Sequence, residues 1–189
     1  KENWLPLLPF LARRYRVMLP DLPGWGESQF HPDATYGMDA QVARIADWLG
    51  RQEGGQPVHL VGSSMGGGIA GLVAARHPQL IRTVTLMNAA GVSGQAHTAF
   101  EAGLMRGRNG LIAHNAAGVF DLLSTVMSSK ALALLMAPGM YWDLVSRRHV
   151  NEHLFRHLMQ HQPDAELPAF SGIQAPTLVL WGVEDKVLH

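Results

Sequence analysis

Between Pro57 and His77 the chain changes its periodicity with no linker. "PVHLVG" is a compact apolar run of strand length, and "SSMGGGIAGLVAARHP" follows at once as a helix, small and apolar at its start and stopped by Pro78. A strand that gives way to a helix within one tight turn leaves few architectures open, because the helix has to pack back on the sheet that the strand joins. The turn itself is Gly62-Ser63-Ser64-Met65-Gly66, which fits G-x-S-x-G with Ser64 at its centre. Ser63 would need glycines where Val61 and Met65 stand.

The spacing has a mechanical reason. A serine on a sharp strand-to-helix turn sits in strained backbone, and the flanking Gly62 and Gly66 are expected to let neighbouring main chain pass without a Cβ clash. Its hydroxyl is then held above the sheet as a candidate nucleophile. The start of the following helix adds a partial positive charge, and the N–H of Met65 is placed to receive the oxyanion of a tetrahedral intermediate.

Strand and helix alternate on both sides of this turn. "ENWLPLLPFLARR" sets Trp4, Leu7, Leu8 and Leu11 at helical spacing, and "YRVMLPDLPGWGES" reads as a short buried strand entering a Pro/Gly loop. Met38, Val42, Ile45 and Leu49 predict an amphipathic helix closed by Gly50. "IRTVTLMNAAG" gives a further strand, and "QAPTLVLWG" resumes the pattern near the end. The economical architecture is α/β, a parallel sheet with flanking helices. From Gly91 to Phe170 no strand is apparent, only helical patterns rich in Ala, Leu and Met, with breaks expected at "GRNG", "APG" and "QPDAELP". The expected organisation is therefore an α/β core over residues 1–90, a helical cap over 91–170, and the core resumed over 171–189.

Composition narrows the chemistry. Lys plus Arg and Asp plus Glu balance at 15 each, so no net charge draws the chain to nucleic acid or an anionic surface. The absence of cysteine removes thiolate metal sites and a Cys nucleophile, and no apolar run reaches the roughly 18 residues of a membrane span. A small-molecule substrate is the expectation.

Several segments agree together and in order. "NW…YRVMLPDLPGWGES", "HLVGSSMGGGIAGLVAARHP", "LMNAAGV" and "PTLVLWGVEDKVLH" resemble the α/β-hydrolase superfamily, and are most similar to its branch of monoacylglycerol lipase-like enzymes and bacterial lipases and esterases. The resemblance covers about the first ninety-five and last fifteen residues. It implies the order Ser, acid, His, with Asp185 of "WGVED" as the acid that orients a histidine. Glu184 is adjacent, but the family pattern aligns with the second acid. Some relatives carry the acid after the earlier strand, here "TLMN", where Asn88 cannot act as a carboxylate.

The family's catalytic His lies in a later segment, and its second oxyanion donor in a His-Gly loop ahead of "KENW". Neither is in this chain, and His189 stands too close to Asp185 to serve. The chain is thus expected to be an internal fragment of a hydrolase, inactive alone because the hydroxyl has no base. A non-catalytic relative or a truncated product is the alternative outside enzymes.

Other features have two readings each. His149 to His153, "HVNEH", matches H-x-x-E-H, and His157 and His161 extend the stripe; a zinc site would need a third ligand and a polar cleft, so a packing or solvated helix face is expected, and no metal. Met127, Met136 and Met140 are candidates for an acyl-chain pocket or for plain cap core. Asp21 and Gly24 are read as structural, Trp25 as a wall of the site, and Arg147 and Arg148 as a solvated pair or a head-group contact. The function expected is a cofactor-free serine hydrolase cleaving hydrophobic carboxylic esters through an acyl-enzyme, with peripheral contact to lipid surfaces. The alternative on the same scaffold is a carbon–carbon bond hydrolase or perhydrolase.

Overall fold

The computed structural model describes residues 4–52, 55–92, 98–160 and 170–188. Its centre is a parallel sheet of three strands, β1 (Val58–Ser63), β2 (Ile81–Met87) and β3 (Thr177–Leu180), in that order across the sheet. Pairing aligns Ser63 with Met87 and Met87 with Leu180, so all three strands end at one level. The residues that leave them therefore share one rim, the carboxyl edge at which open α/β sheets hold their ligands.

Three helices precede or separate the first strands. The spacing of Trp4 to Leu11 yields only a single exposed turn, α1 (Leu8–Leu11), because Pro6 and Pro9 withhold the N–H groups a longer helix needs. The segment Arg16–Pro20, expected as a strand, forms none; only Val17, Met18 and Leu19 separate Arg16 from the ladder-breaking Pro20. The residue before this segment touches β1, where the Tyr15 ring meets that of His59 edge-on at 5.6 Å. α2 (Met38–Gly50) forms as its periodicity demands and buries Val42, Ile45, Ala46 and Leu49.

α3 (Met65–Arg76) is apolar on all sides and buries Ile69, Ala70, Leu72, Val73 and Ala74 between the sheet and α2. Each fully buried Ile, Leu or Val side chain here contributes about 1.5–3 kcal/mol. Val84 and Leu86 of β2 complete this core, whereas β3, paired on one side only among the described strands, is exposed along its length.

Between β2 and β3 the described chain is helical: α4 (Ala99–Met105), α5 (Ala116–Val126), α6 (Lys130–Ser146) and α7 (Arg148–Gln160). The starts of α4, α5 and α6 are capped by side chains. Thr98 and Glu101 make a reciprocal capping box on α4, while Asn115 and Ser129 accept the Gly118 and Leu132 N–H groups. α5 and α6 form a separate core around Val119, Leu122, Leu123 and Ala133. The break expected at Pro138 does not occur, and α6 runs through it as one helix. Proline removes the bond to the carbonyl of Leu134, and since Leu134 is exposed, water can take that carbonyl. The break expected at "QPDAELP" lies outside the described residues, as do His161 and His189.

Candidate active site

Ser64 sits between β1 and α3 with φ 53°, one of two non-glycine residues in the left-handed region among those described. Backbone bonds hold it there. Its N–H donates to the Met87 carbonyl at 2.9 Å, and its own carbonyl accepts from Gly68 at 3.1 Å and from Ala90 at 2.9 Å. The strain is thus met by the end of β2 rather than by the helix alone. The residue is exposed, and Met65 is the first residue of α3, where N–H groups have no partner inside the helix.

The glycines divide in a way that the motif does not show. A Cβ at Gly62 would overlap the carbonyl of Gly66, so Gly62 is required for the turn to close. At Gly66 itself a Cβ would meet nothing within 4 Å. Close approach falls instead on Gly67, where an added Cβ would stand 2.8 Å from the Ala89 Cβ, and on Gly68, where it would overlap the Ala90 carbonyl. α3 therefore lies tight on the segment that follows β2.

Asp185 is held in the loop after β3. Its Oδ1 accepts the N–H groups of Val187 at 2.8 Å and Leu188 at 3.0 Å, its Oδ2 accepts from Nδ2 of Asn88, and its N–H donates to Gly182 at 3.1 Å. Glu184 is exposed, so of the two adjacent acids Asp185 is the one the loop holds in place. No histidine is among the hydrogen-bond partners of Asp185 among the described residues.

Sequence reasoning passed over two residues here. Asn88, set aside as unable to be the acid, has φ 44° and bridges the acid loop, donating to Asp185 and accepting from the Gly182 N–H at 3.3 Å. Asparagine directly after a strand is the available signal, since it tolerates left-handed backbone better than other non-glycine residues. Thr98, buried at the start of α4, donates through Oγ1 to the Val187 carbonyl at 3.0 Å and so ties the helical insertion to the same loop. Thr98 carried no signal of this contact, which spans 89 positions.

The remaining candidates go elsewhere. His153 and His157 turn inward from α7, stack on each other at 4.4 Å, and pack against Tyr36, whose N–H donates to Nδ1 of His157 at 3.3 Å. This is a packing face, and no three metal-binding side chains converge among the described residues. Trp25 meets the same Tyr36 edge-on. Arg147 donates to the Gly24 carbonyl at 2.9 Å and to that of Gly26, pinning the Pro/Gly loop, while Arg148 faces Glu152 at 3.8 Å. Within the loop, Asp21 accepts from Glu27 N–H at 3.1 Å. Met127 and Met140 pack on the α5–α6 core and Met136 faces outward. A surface hollow of about 470 Å³ lies between Pro78, Ile81, Arg82, Ala175 and Pro176, at the starting ends of β2 and β3, opposite Ser64.

A model of the alpha/beta hydrolase fold family matches residues 1–189. The chain is 44% identical over 91 residues to a 2-hydroxymuconate semialdehyde hydrolase of Pseudomonas sp. strain CF600, a match covering 48% of this chain and 32% of that enzyme. It is 28% identical to a monoacylglycerol lipase of Xenopus laevis over 100% of this chain and 59% of that one. The crystal structure of a membrane phospholipase A, described as a bacterial virulence factor, superposes with a TM-score of 0.86 at 34% identity, covering 100% of this chain and 60% of that chain. In each case the chain spans less than two thirds of the relative.

Proposed function

The chain belongs to the alpha/beta hydrolase fold family, and from that premise we propose that it carries the nucleophile and acid of a serine hydrolase, Ser64 and Asp185. The observation that carries this reading is the left-handed Ser64, exposed at the rim of the sheet and stapled to β2, with Asp185 on the same rim. Ser64 Oγ would add to an acyl carbonyl, losing its proton to a histidine outside the described residues. The N–H of Met65 would receive the oxyanion, and the leaving group would depart with that proton. Water, giving a proton to the same histidine, would then add to the acyl carbon, and Ser64 Oγ would leave with that proton as the acid is released.

The bond broken divides the relatives. 2-Hydroxymuconate semialdehyde holds no ester or amide, so a hydrolase acting on it must part carbon from carbon, and that relative has the higher local identity, 44% against 28%. We therefore place carbon–carbon hydrolysis ahead of ester hydrolysis. The whole-chain similarity to a lipase and a phospholipase supports the ester as the second reading.

The test is a side-by-side assay of the intact protein and its Ser64→Ala variant on 2-hydroxymuconate semialdehyde and on p-nitrophenyl butyrate, with fluorophosphonate labelling of the serine. Turnover of either substrate and labelling should both vanish in the variant, by three or more orders of magnitude, roughly. Activity that survives in Ser64→Ala would sink the proposal. The preferred substrate decides between the two bonds.

A further inference from the structure

The four residues Met87–Ala90 touch both halves of the proposed machinery. The Met87 carbonyl accepts from Ser64, and the Ala90 N–H donates to Ser64. Ala89 packs against Gly67 so closely that no Cβ fits between them. Between these contacts Asn88 turns into the left-handed region, and its amide faces the other way, toward the loop after β3. Its N–H also donates to the Leu180 carbonyl at 2.9 Å, extending the β2–β3 ladder by one residue.

We propose that Asn88 is a positioning residue that sets Asp185 relative to Ser64: its Nδ2 holds one carboxylate oxygen while its backbone neighbours hold the nucleophile. This rests on the assignment of Ser64 and Asp185 made above.

The geometry accounts for both ends of the amide. Oδ1 takes the Gly182 N–H at the base of the acid loop, and Nδ2 donates to Oδ2 at its tip, so one planar group spans the loop and opposes its rotation. With Oδ1 of Asp185 occupied by Val187 and Leu188, the loop alone fixes one carboxylate oxygen and Asn88 fixes the other. A carboxylate anchored at both oxygens presents a defined remaining lone pair to a histidine N–H. The left-handed backbone is part of the device, because it is what turns the side chain from the elbow toward the acid.

Asn88→Gly separates the two roles, since glycine accepts φ 44° without strain but has no amide. In the intact protein, assayed on whichever of the two substrates above it turns over, Asn88→Gly should lower kcat by roughly ten- to a hundredfold. KM should stay within about twofold, because the amide acts on the acid and not on bound substrate. In an Asp185→Asn background the same change should cost nothing further, because its effect passes through the carboxylate. Wild-type kcat in Asn88→Gly, or a loss that adds fully to that of Asp185→Asn, overturns the proposal. Should Asn88→Gly not yield folded protein, Asn88→Ala also removes the amide while keeping a Cβ and adding no second carboxylate beside Asp185. It should show the same fall in kcat, and retention of kcat there overturns the proposal as well. Ser64→Ala, run in parallel, reports separately on the assignment beneath it.

Discussion

The sheet with its elbow and the helical insertion are built on different limits. Around Ser64 the closest approaches are of backbone to backbone or to its first carbon: Gly62 under the Gly66 carbonyl, Gly67 against Cα and Cβ of Ala89, Gly68 against the Ala90 carbonyl. In the insertion, α5 and α6 meet through side chains such as Leu122, Leu123 and Met140, and the outer face of α6 leaves Leu134, Leu135 and Trp142 66%, 77% and 73% exposed. A position limited by backbone has no room for one added atom. A region limited by side chains yields by repacking, at a cost that depends on how well the site collapses.

The largest expected effect tests whether the two regions are energetically separate. Leu123→Ala removes a buried side chain from the α5–α6 core and should cost about 2–5 kcal/mol. Hydrogen exchange should place that loss in α5 and α6, with the amides of β1 and β2 still protected; faster exchange throughout would mean that the two cores unfold as one.

Gly62→Ala comes next, at about 1–3 kcal/mol by the ordinary cost of overpacking, toward the upper end because both partners are main chain. Its signature differs from that of Leu123→Ala. Hydrolysis should disappear even at temperatures where the variant is fully folded, as read from activity beside circular dichroism.

Arg147→Ala sharpens the comparison at the seam between the regions. The guanidinium joins the insertion to the carbonyls of Gly24 and Gly26, and its loss should cost about 1 kcal/mol. Thermal melts followed by near-ultraviolet signal from Trp25 and Tyr36 would show the seam loosening before the sheet.

The same contrast explains what the sequence made legible. Backbone limits leave residue-level marks: a Gly-Ser turn, and a strand-length apolar run giving way to a helix with no linker. The turn at Gly62 to Met65 was legible for that reason, as was the order of strands and helices from Met38 to Met87, whereas the place of Asp185 came from the resemblance. The insertion showed its helical character but not its seams. Nothing local in Thr98 or Arg147 announces a contact 89 or 123 positions away. The stripe of His149, His153 and His157 was expected to pack or to be solvated, and spacing alone does not show that His153 and His157 turn inward onto Tyr36. Pro138 suggested a break because the rule that proline ends helices omits the case in which the freed carbonyl faces water.

Gly66→Ala is the smallest effect and the finest test. The motif treats Gly62 and Gly66 as a pair, while the geometry makes only Gly62 sterically obligatory. If backbone proximity is what limits this region, alanine at 66 should fold with unchanged stability or a gain of up to about 1 kcal/mol, since it is the better helix former in the first turn of α3. A clear loss of stability, measured by denaturant titration, would mean that the elbow needs freedom the static contacts do not display. Unchanged stability with a lower kcat/KM would move the reason for glycine from the fold to the reaction. The open space beside Gly66 would then be room for the substrate.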